Sequence, residues 1–394
     1  DFSPNDYQTI KPASPYYFFI PRQTQGQQAY QSWPLVTDIF PVNSAGIVTA
    51  RDNLTIHWTP DEIWTTVLKF SQLSENLARQ AFQLGKDARD WKVSLAQQDV
   101  KRDYGRPHRG KIVPILYRPF DVRYTYYTGR SRGFHCMPRP EVMRHMLVGG
   151  NLGLITVRRC PPDKQPAFFF ITETIISNGV IRSDNMSIDM LFPLYLYPSN
   201  GSLNVSQNAR QPNLANWLLP KLGEAYGSTP EPEKVLAYVY AVFYSPTYRQ
   251  KYAQELRTDF PRVPFTDNGQ LFNQMSAFGQ QLIDLHLLRN PDNTAKVRYQ
   301  GQGNDLVEKV RYDMANGQVY INDKNYFEGI TQGMWEYQIG SYQVLEKYLK
   351  DRKGRYLDDP VRYIYIASAI AQTIDIQAQL DRIYPQVEAS TLTF

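Results

Sequence analysis

The chain has 394 residues, 42% of them hydrophobic and 21% charged, a balance that suits a soluble globular protein with a sizeable core and excludes a disordered or fibrous one. No run of about 18 apolar residues occurs, so no membrane span is expected, and Cys136 and Cys160 are too few for a disulfide framework or a Cys-rich zinc site. Formal net charge is +5, but residues 101–160 hold thirteen Lys/Arg against three acids, a local balance of +10 that leaves −5 for the rest of the chain. A basic patch on a near-neutral body is the electrostatic footprint of a nucleic-acid binder.

The polar start, "DFSPNDYQTI", has neither a signal peptide nor an initiator Met, so the chain is expected to come from a longer polypeptide. The scarcity of cysteine fits a reducing, cytoplasmic setting. Length suggests about two or three domains.

Residues 1–58 read as extended, with short strand candidates at "YYFFIP" (16–21) and "AGIVTA" (45–50). "TPDE" (59–62) is a helix start: Thr59 caps, Pro60 takes the first helical position and Glu62 completes a capping box. Ile63, Val67, Phe70, Leu73 and Leu77 follow at helical spacing, and a second helix is expected near 90–102.

The middle is β-rich. "KIVPILYRPFDVRYTYYT" (111–128) is β-branched and aromatic. In it Val122, Tyr124 and Tyr126 share one face and Asp121, Arg123, Thr125 and Tyr127 the other, the polar one. "RPEVMRHML" (139–147) predicts a helix from Pro140, and strands are expected in 151–159, 167–176 and 190–198. A polar linker covers 199–213; helices are expected at 229–245, starting from Thr229 and Pro230, at 246–257 and at 269–288. A strand at 317–322 is expected beside one at 296–300, with helices around 330–350 and 359–382.

Several motif readings fail on context. "GRPHRGKI" (105–112) follows the phosphate-loop string until Ile112 stands where a Ser or Thr should hold magnesium, and no apolar strand precedes it. "VGGNLG" (148–153) comes before a strand instead of after one. His135, Cys136 and His145 do not have zinc spacing. "NPD" (290–292) does not reproduce the Asn-Pro-Pro-aromatic loop that grips an extruded base. The basic-aromatic window remains, centred on "GRSRGFHCMPR" (129–139). Its candidates for DNA contact are Arg118, Arg123, Tyr124, Tyr126, Arg130, Ser131, Arg132, His135, Arg139, Arg144, Arg158 and Arg159. The planar guanidinium fork suits phosphate oxygens and guanine edges.

"PILYRPFDVRYTYYTGRSRGFHCMPRPEVMRHML" (114–147) resembles the specificity region of Type ISP restriction–modification enzymes, as do "SPYYFFIPR" (14–22), "NLGLITVRR" (151–159), "FPLYLYP" (192–198) and "YVYAVFYSPTYRQKYAQELRTDFPRVPF" (238–265). The resemblance covers most of 1–290. It implies the C-terminal target-recognition part of a bacterial enzyme whose other parts are a nuclease, an ATP-driven translocase and an adenine-N6 methyltransferase. S-adenosylmethionine, ATP and Mg are then cofactors of that parent, with none bound by this chain. The motifs that bind and use them lie upstream in the family, so no catalytic residue carries over.

The expected fold is α+β, a β-rich target-recognition core with a helical subdomain and further C-terminal helices. The organisation expected is an extended segment over 1–58, the tail of an upstream methyltransferase domain; a helical connector over 59–103; the recognition core over 104–200; the helical subdomain over 201–290; and a strand return to the core followed by helices over 291–394. The expected partners are double-stranded DNA and the upstream methyltransferase domain, with no membrane. Motifs common to enzymes of different specificity serve to grip backbone or to pack, which moves base reading elsewhere, to 160–190 or 293–330. Two other classes compete: a stand-alone hydrolase, which needs a deep pocket with convergent titratable groups, and an interaction scaffold that binds no DNA, which needs an exposed apolar patch.

Overall fold

The computed structural model describes residues 27–88, 90–184, 188–198 and 210–394. The strand candidate at 16–21 lies outside the described residues, as does most of the polar linker, 199–209. The fold is α+β. Two four-stranded sheets carry the middle of the chain. One runs in the order Ser44–Ala45, Asp189–Pro193, Gly153–Val157, Phe169–Thr172, all antiparallel. The other runs Ile56–His57, Asp121–Tyr126, Ile112–Arg118, Ile175–Ile176, its last pair parallel. The chain passes from the first sheet to the second through the turn at Glu173–Thr174, where the Thr172 hydroxyl accepts from the Thr174 amide at 3.0 Å.

The capping box forms as the sequence predicts. Helix Pro60–Gln72 starts with the Thr59 hydroxyl accepting from the Glu62 amide at 3.1 Å, and the Glu62 carboxylate accepts from the Thr59 and Trp58 amides. Ile63, Val67 and Phe70 are buried, whereas Leu77 belongs to a separate helix, Glu75–Ala81, and is exposed. With Val93–Lys101 these helices enclose a satellite core around Trp91, Phe134 and Tyr126.

The main core extends from Tyr30 to Val387. At its centre helices Pro232–Tyr244 and Gly269–His286 pack so closely that a Cβ on Gly279 would overlap the Ala237 carbonyl, so only glycine fits there. The first of them starts at Pro232, two residues after Pro230, because Glu231 occupies the extended cap position. Helix Pro360–Ala389 closes the molecule.

Three expectations need correction. Strand Asp121–Tyr126 turns its polar face inward: Asp121, Arg123 and Thr125 are buried and Val122 is exposed. Charged residues tolerate that position because partners from distant segments neutralise them, as described below. The strands at 298–300 and 318–320 share a sheet but are not neighbours; Tyr326–Glu328 lies between them, and Arg311–Asp313 completes the order. This sheet returns to the core by packing, through Val319 and Phe327, and pairs with neither earlier sheet. Finally, the helix expected over 330–350 is two helices, Gln332–Glu336 and Val344–Lys350, separated by a hairpin of Gln338–Ile339 with Tyr342–Gln343.

Candidate nucleic-acid interface

The glycine-rich loop at 129–136 is built around a buried carboxylate. Asp99, at the inner face of helix Val93–Lys101, accepts from the Thr128 hydroxyl at 2.7 Å and the Phe134 amide at 2.8 Å, and pairs with Arg130 at 3.6 Å. Gly133 lies against that carboxylate, and a Cβ there would overlap it. Arg130 also donates to Asp103 at 2.6 Å, and Asp103 receives Lys111 at 3.2 Å. These two hydrogen-bonded cations hold the Asp103 carboxyl below its ordinary range. The loop is therefore tied to the 101–111 segment. Ser131 and Arg132 point outward; Arg132 adopts φ +59° and its side chain is 62% exposed, 3.9 Å from Asp90.

The window's arginines disperse from there. Arg123 is 8% exposed; it donates to Asp121 at 2.9 and 3.0 Å, lies 3.8 Å from Asp351, and covers the faces of Trp58 and Tyr117 at 3.6 and 4.0 Å. Arg352 and Arg355 approach the same indole at 4.7 and 5.1 Å. Arg118 stacks on Tyr117 and donates to the Gly179 carbonyl. Tyr124 is half-buried against the satellite core, and Tyr126 is buried, its hydroxyl donating to the Val100 carbonyl. Arg139 takes φ +54° ahead of helix Pro140–Met146, and Arg144 on that helix donates to the Tyr197 carbonyl. Arg158 pairs with Asp259, and Arg159 donates to the Thr258 carbonyl. Acids from outside the window thus absorb much of its charge.

The histidines are interior. His135 is fully buried, 2.8 Å from the Thr125 hydroxyl, and burial pushes its imidazole down to about 3. His145 accepts from the Tyr197 amide and His286 sits between Tyr240 and Thr373; burial lowers them to about 4 and about 3. The Cys136 thiol points to the Asp90 carbonyl. His135, Cys136 and His145 therefore serve different neighbours, and among the described residues no His/Cys/Asp/Glu cluster could hold a metal.

The outward chemistry lies on a stretch that the candidate set omits. Arg102, Tyr104, Arg106 and His108 are all exposed, Tyr104 by 59%, and the Tyr104 and His108 rings stack at 4.6 Å. The side chains of Arg102 and Arg106 have no hydrogen-bond or ion-pair partner among the described residues. Arg109 anchors the stretch to Asp61 and lies near the Trp64 ring. The signal was in the sequence: "GRPHRGKI" is the phosphate-loop near-match. In the fold it is a loop and a single helical turn, Arg109–Lys111, feeding strand Ile112–Arg118, so it lacks the strand-to-helix geometry of a nucleotide site. Unpaired guanidinium groups flanking a stacked aromatic pair are suited to phosphate oxygens and base faces.

The Type ISP C-terminal specificity domain family matches residues 38–377. This chain belongs to that family. No curated protein matches it. Among solved structures, the specificity domain is similar to the ATP-dependent Type ISP restriction-modification enzyme LlaBIII bound to DNA, with a TM-score of 0.69 and 16% identity over 96% of this chain and 25% of that one. It is similar to the protein of the DrdV–DNA complex, at 0.65 and 23% over 90% and 36%. It is also similar to a nuclease-deletion mutant of the Type ISP enzyme LlaGI in complex with a DNA substrate mimic, at 0.63 and 19% over 97% and 30%. The shared feature is the fold, and the specificity domain spans between 25% and 36% of those chains. Among the described residues no helix is long and apolar enough to cross a membrane.

Proposed function

We propose that this specificity domain recognises a target sequence in double-stranded DNA on behalf of a restriction–modification enzyme. The observation that carries the reading is family membership over 38–377. The fold it shares with three proteins whose structures contain DNA supports it. The 101–111 segment and the 129–132 loop form the phosphate-gripping rim: Arg102, Arg106 and Arg132 neutralise backbone phosphates while Asp99 and Asp103 fix the loop that carries them. Phosphate contacts position a recognition domain, and a smaller set of side chains in the groove specifies sequence.

The parent, in this reading, is a bacterial enzyme that methylates adenine N6 and cleaves DNA with ATP-driven translocation. S-adenosylmethionine, ATP and Mg act in its other parts. Methylating adenine requires extruding the base from the duplex, and a separate lobe must grip the flanking DNA. This chain supplies that grip against the methyltransferase part and performs no catalysis itself.

The test is binding of the chain to duplex DNA across a salt series, followed by selection from a random-sequence pool. Log affinity should fall linearly with log salt by about 0.9 for each phosphate neutralised, and one short sequence should be enriched. Salt-independent binding, or a pool that stays random, would defeat the proposal.

A further inference from the structure

A cleft of about 650 Å³ opens between the 162–167 loop and helix Pro246–Lys251. Its walls carry Arg249, Arg257 and Lys164, with Gln250 and Gln377 beside them and Asp163 as the one acid. None of the three cations has an ion-pair partner among the described residues. That contrasts with the 101–160 window, where Asp121 answers the buried Arg123 and Asp99 and Asp103 answer the half-buried Arg130.

Arg249 is the decisive group. It is 9% exposed, its guanidinium lies 4.4 Å over the Tyr244 ring, and its Nε donates to the Phe243 carbonyl. Its Nη2 is enclosed with no hydrogen-bond partner, and the neutral Tyr244 and Tyr337 hydroxyls beside the guanidinium bring it no counter-charge. Arg257 gives Nη2 to the Lys164 carbonyl at 3.3 Å, which ties the loop to the cleft wall, while its Nε is buried without a partner. Gln377 is fixed by donating to the Tyr244 carbonyl at 3.2 Å. Burying a cation without a counter-charge is costly, and folds retain such an arrangement where a ligand supplies the missing charge. Guanidinium and ammonium donors converging on one space, with amides at the margin, match the several acceptor oxygens of a phosphate.

We infer that this cleft binds a phosphate group, carried by a DNA strand or by a free nucleotide. The inference does not rest on the proposed DNA reading, since a free nucleotide would fill the site without duplex. If a strand phosphodiester fills it, the cleft forms a second backbone contact, separate from the 101–132 rim.

The test uses three probes at low salt: sodium pyrophosphate, ATP without divalent cation, and a short DNA duplex. Each is titrated against the wild type, the Lys164→Gln/Arg257→Gln double variant and Lys164→Glu, with melting curves throughout. At least one probe should bind the wild type saturably, and the double variant should bind it tenfold or more weakly at an unchanged melting temperature. A response to pyrophosphate or ATP alone assigns a free ligand; a response to duplex alone assigns the strand phosphodiester. If the double variant does not fold, Lys164→Glu decides, because Lys164 is half-exposed. No binding of any probe, or variants that bind like the wild type, would overturn the inference. Substitutions on the 101–132 rim leave this cleft intact, so its failure and that of the DNA reading can be told apart.

Discussion

Around Trp58, three arginines lie against an indole and are tied to carboxylates; along the 101–111 segment, Arg102 and Arg106 stand in water beside Tyr104 with no carboxylate attached. Both regions contribute arginine and aromatic residues, and by composition they look alike. The first is a structural joint: Arg123, Arg352 and Arg355 are matched by Asp121, Asp351 and Glu62, which binds one strand, a helix start and the C-terminal segment together. The second is a surface with uncommitted charge. An arginine is available to a ligand when the fold has not already given it an anion, and that is decided by residues far from it in sequence.

The comparison breaks most visibly at Arg123. Arg123→Ala leaves Asp121 and Asp351 short of a partner in a buried setting and should cost about 3 kcal/mol or more. Urea unfolding measures it, and a loss below about 1 kcal/mol would show that the joint does not depend on this residue. DNA affinity should fall only together with the fold.

A smaller effect sharpens the contrast within the 129–136 loop, whose outer side is Arg132 and whose inner side is His135. Burial lowers His135 from an ordinary 6.5 to about 3, so the unfolded chain takes up its proton first. Its contribution to stability is complete above pH 6.5 and is lost as pH falls from there toward 3. Between pH 7.5 and 5.5 the wild type should lose about 1.4 kcal/mol more than His135→Gln. Equal pH dependence in the two proteins would mean that His135 is not buried as a neutral ring.

The smallest change in stability belongs to the rim. Arg102→Ala and Arg106→Ala should shift unfolding by less than about 0.5 kcal/mol. Each should also flatten the salt dependence of DNA binding by about one unit. Arg132→Ala should behave the same way, whereas Arg130→Ala should lose affinity and stability together, because Asp99 and Asp103 hold it. Unchanged salt slopes in all three exposed variants would remove the rim from the DNA interface.

What the sequence disclosed was local. The Thr59–Glu62 capping box, the helix from Pro140 and the helix ending before Pro246 each depend on residues a few positions apart, and each forms. The family motif was legible for a similar reason, as a contiguous string. What stayed hidden was pairing across the chain. The inward face of Asp121–Tyr126 depends on Asp351 and Arg352, and the apparent charge of 101–160 on Asp61, Asp90, Asp99 and Asp259. A window count has no access to those partners. The arginines of 101–111 are hidden in another way: they stand inside a string with phosphate-loop glycine and lysine spacing, and only the fold shows that they face solvent.

Glu62 has a double duty with an evolutionary consequence. One carboxylate oxygen closes the cap of helix Pro60–Gln72, and the other takes Arg355 at 2.7 Å. Selection on this residue is therefore pleiotropic. A relative that replaces Glu62 with Gln keeps the cap but forfeits the tie to the C-terminal segment, and drift at position 355 is released in step. Substitutions at 62 and 355 should thus travel together through the lineage, while the neighbouring position 61, whose carboxylate pairs with Arg109, should be coupled to 109 instead.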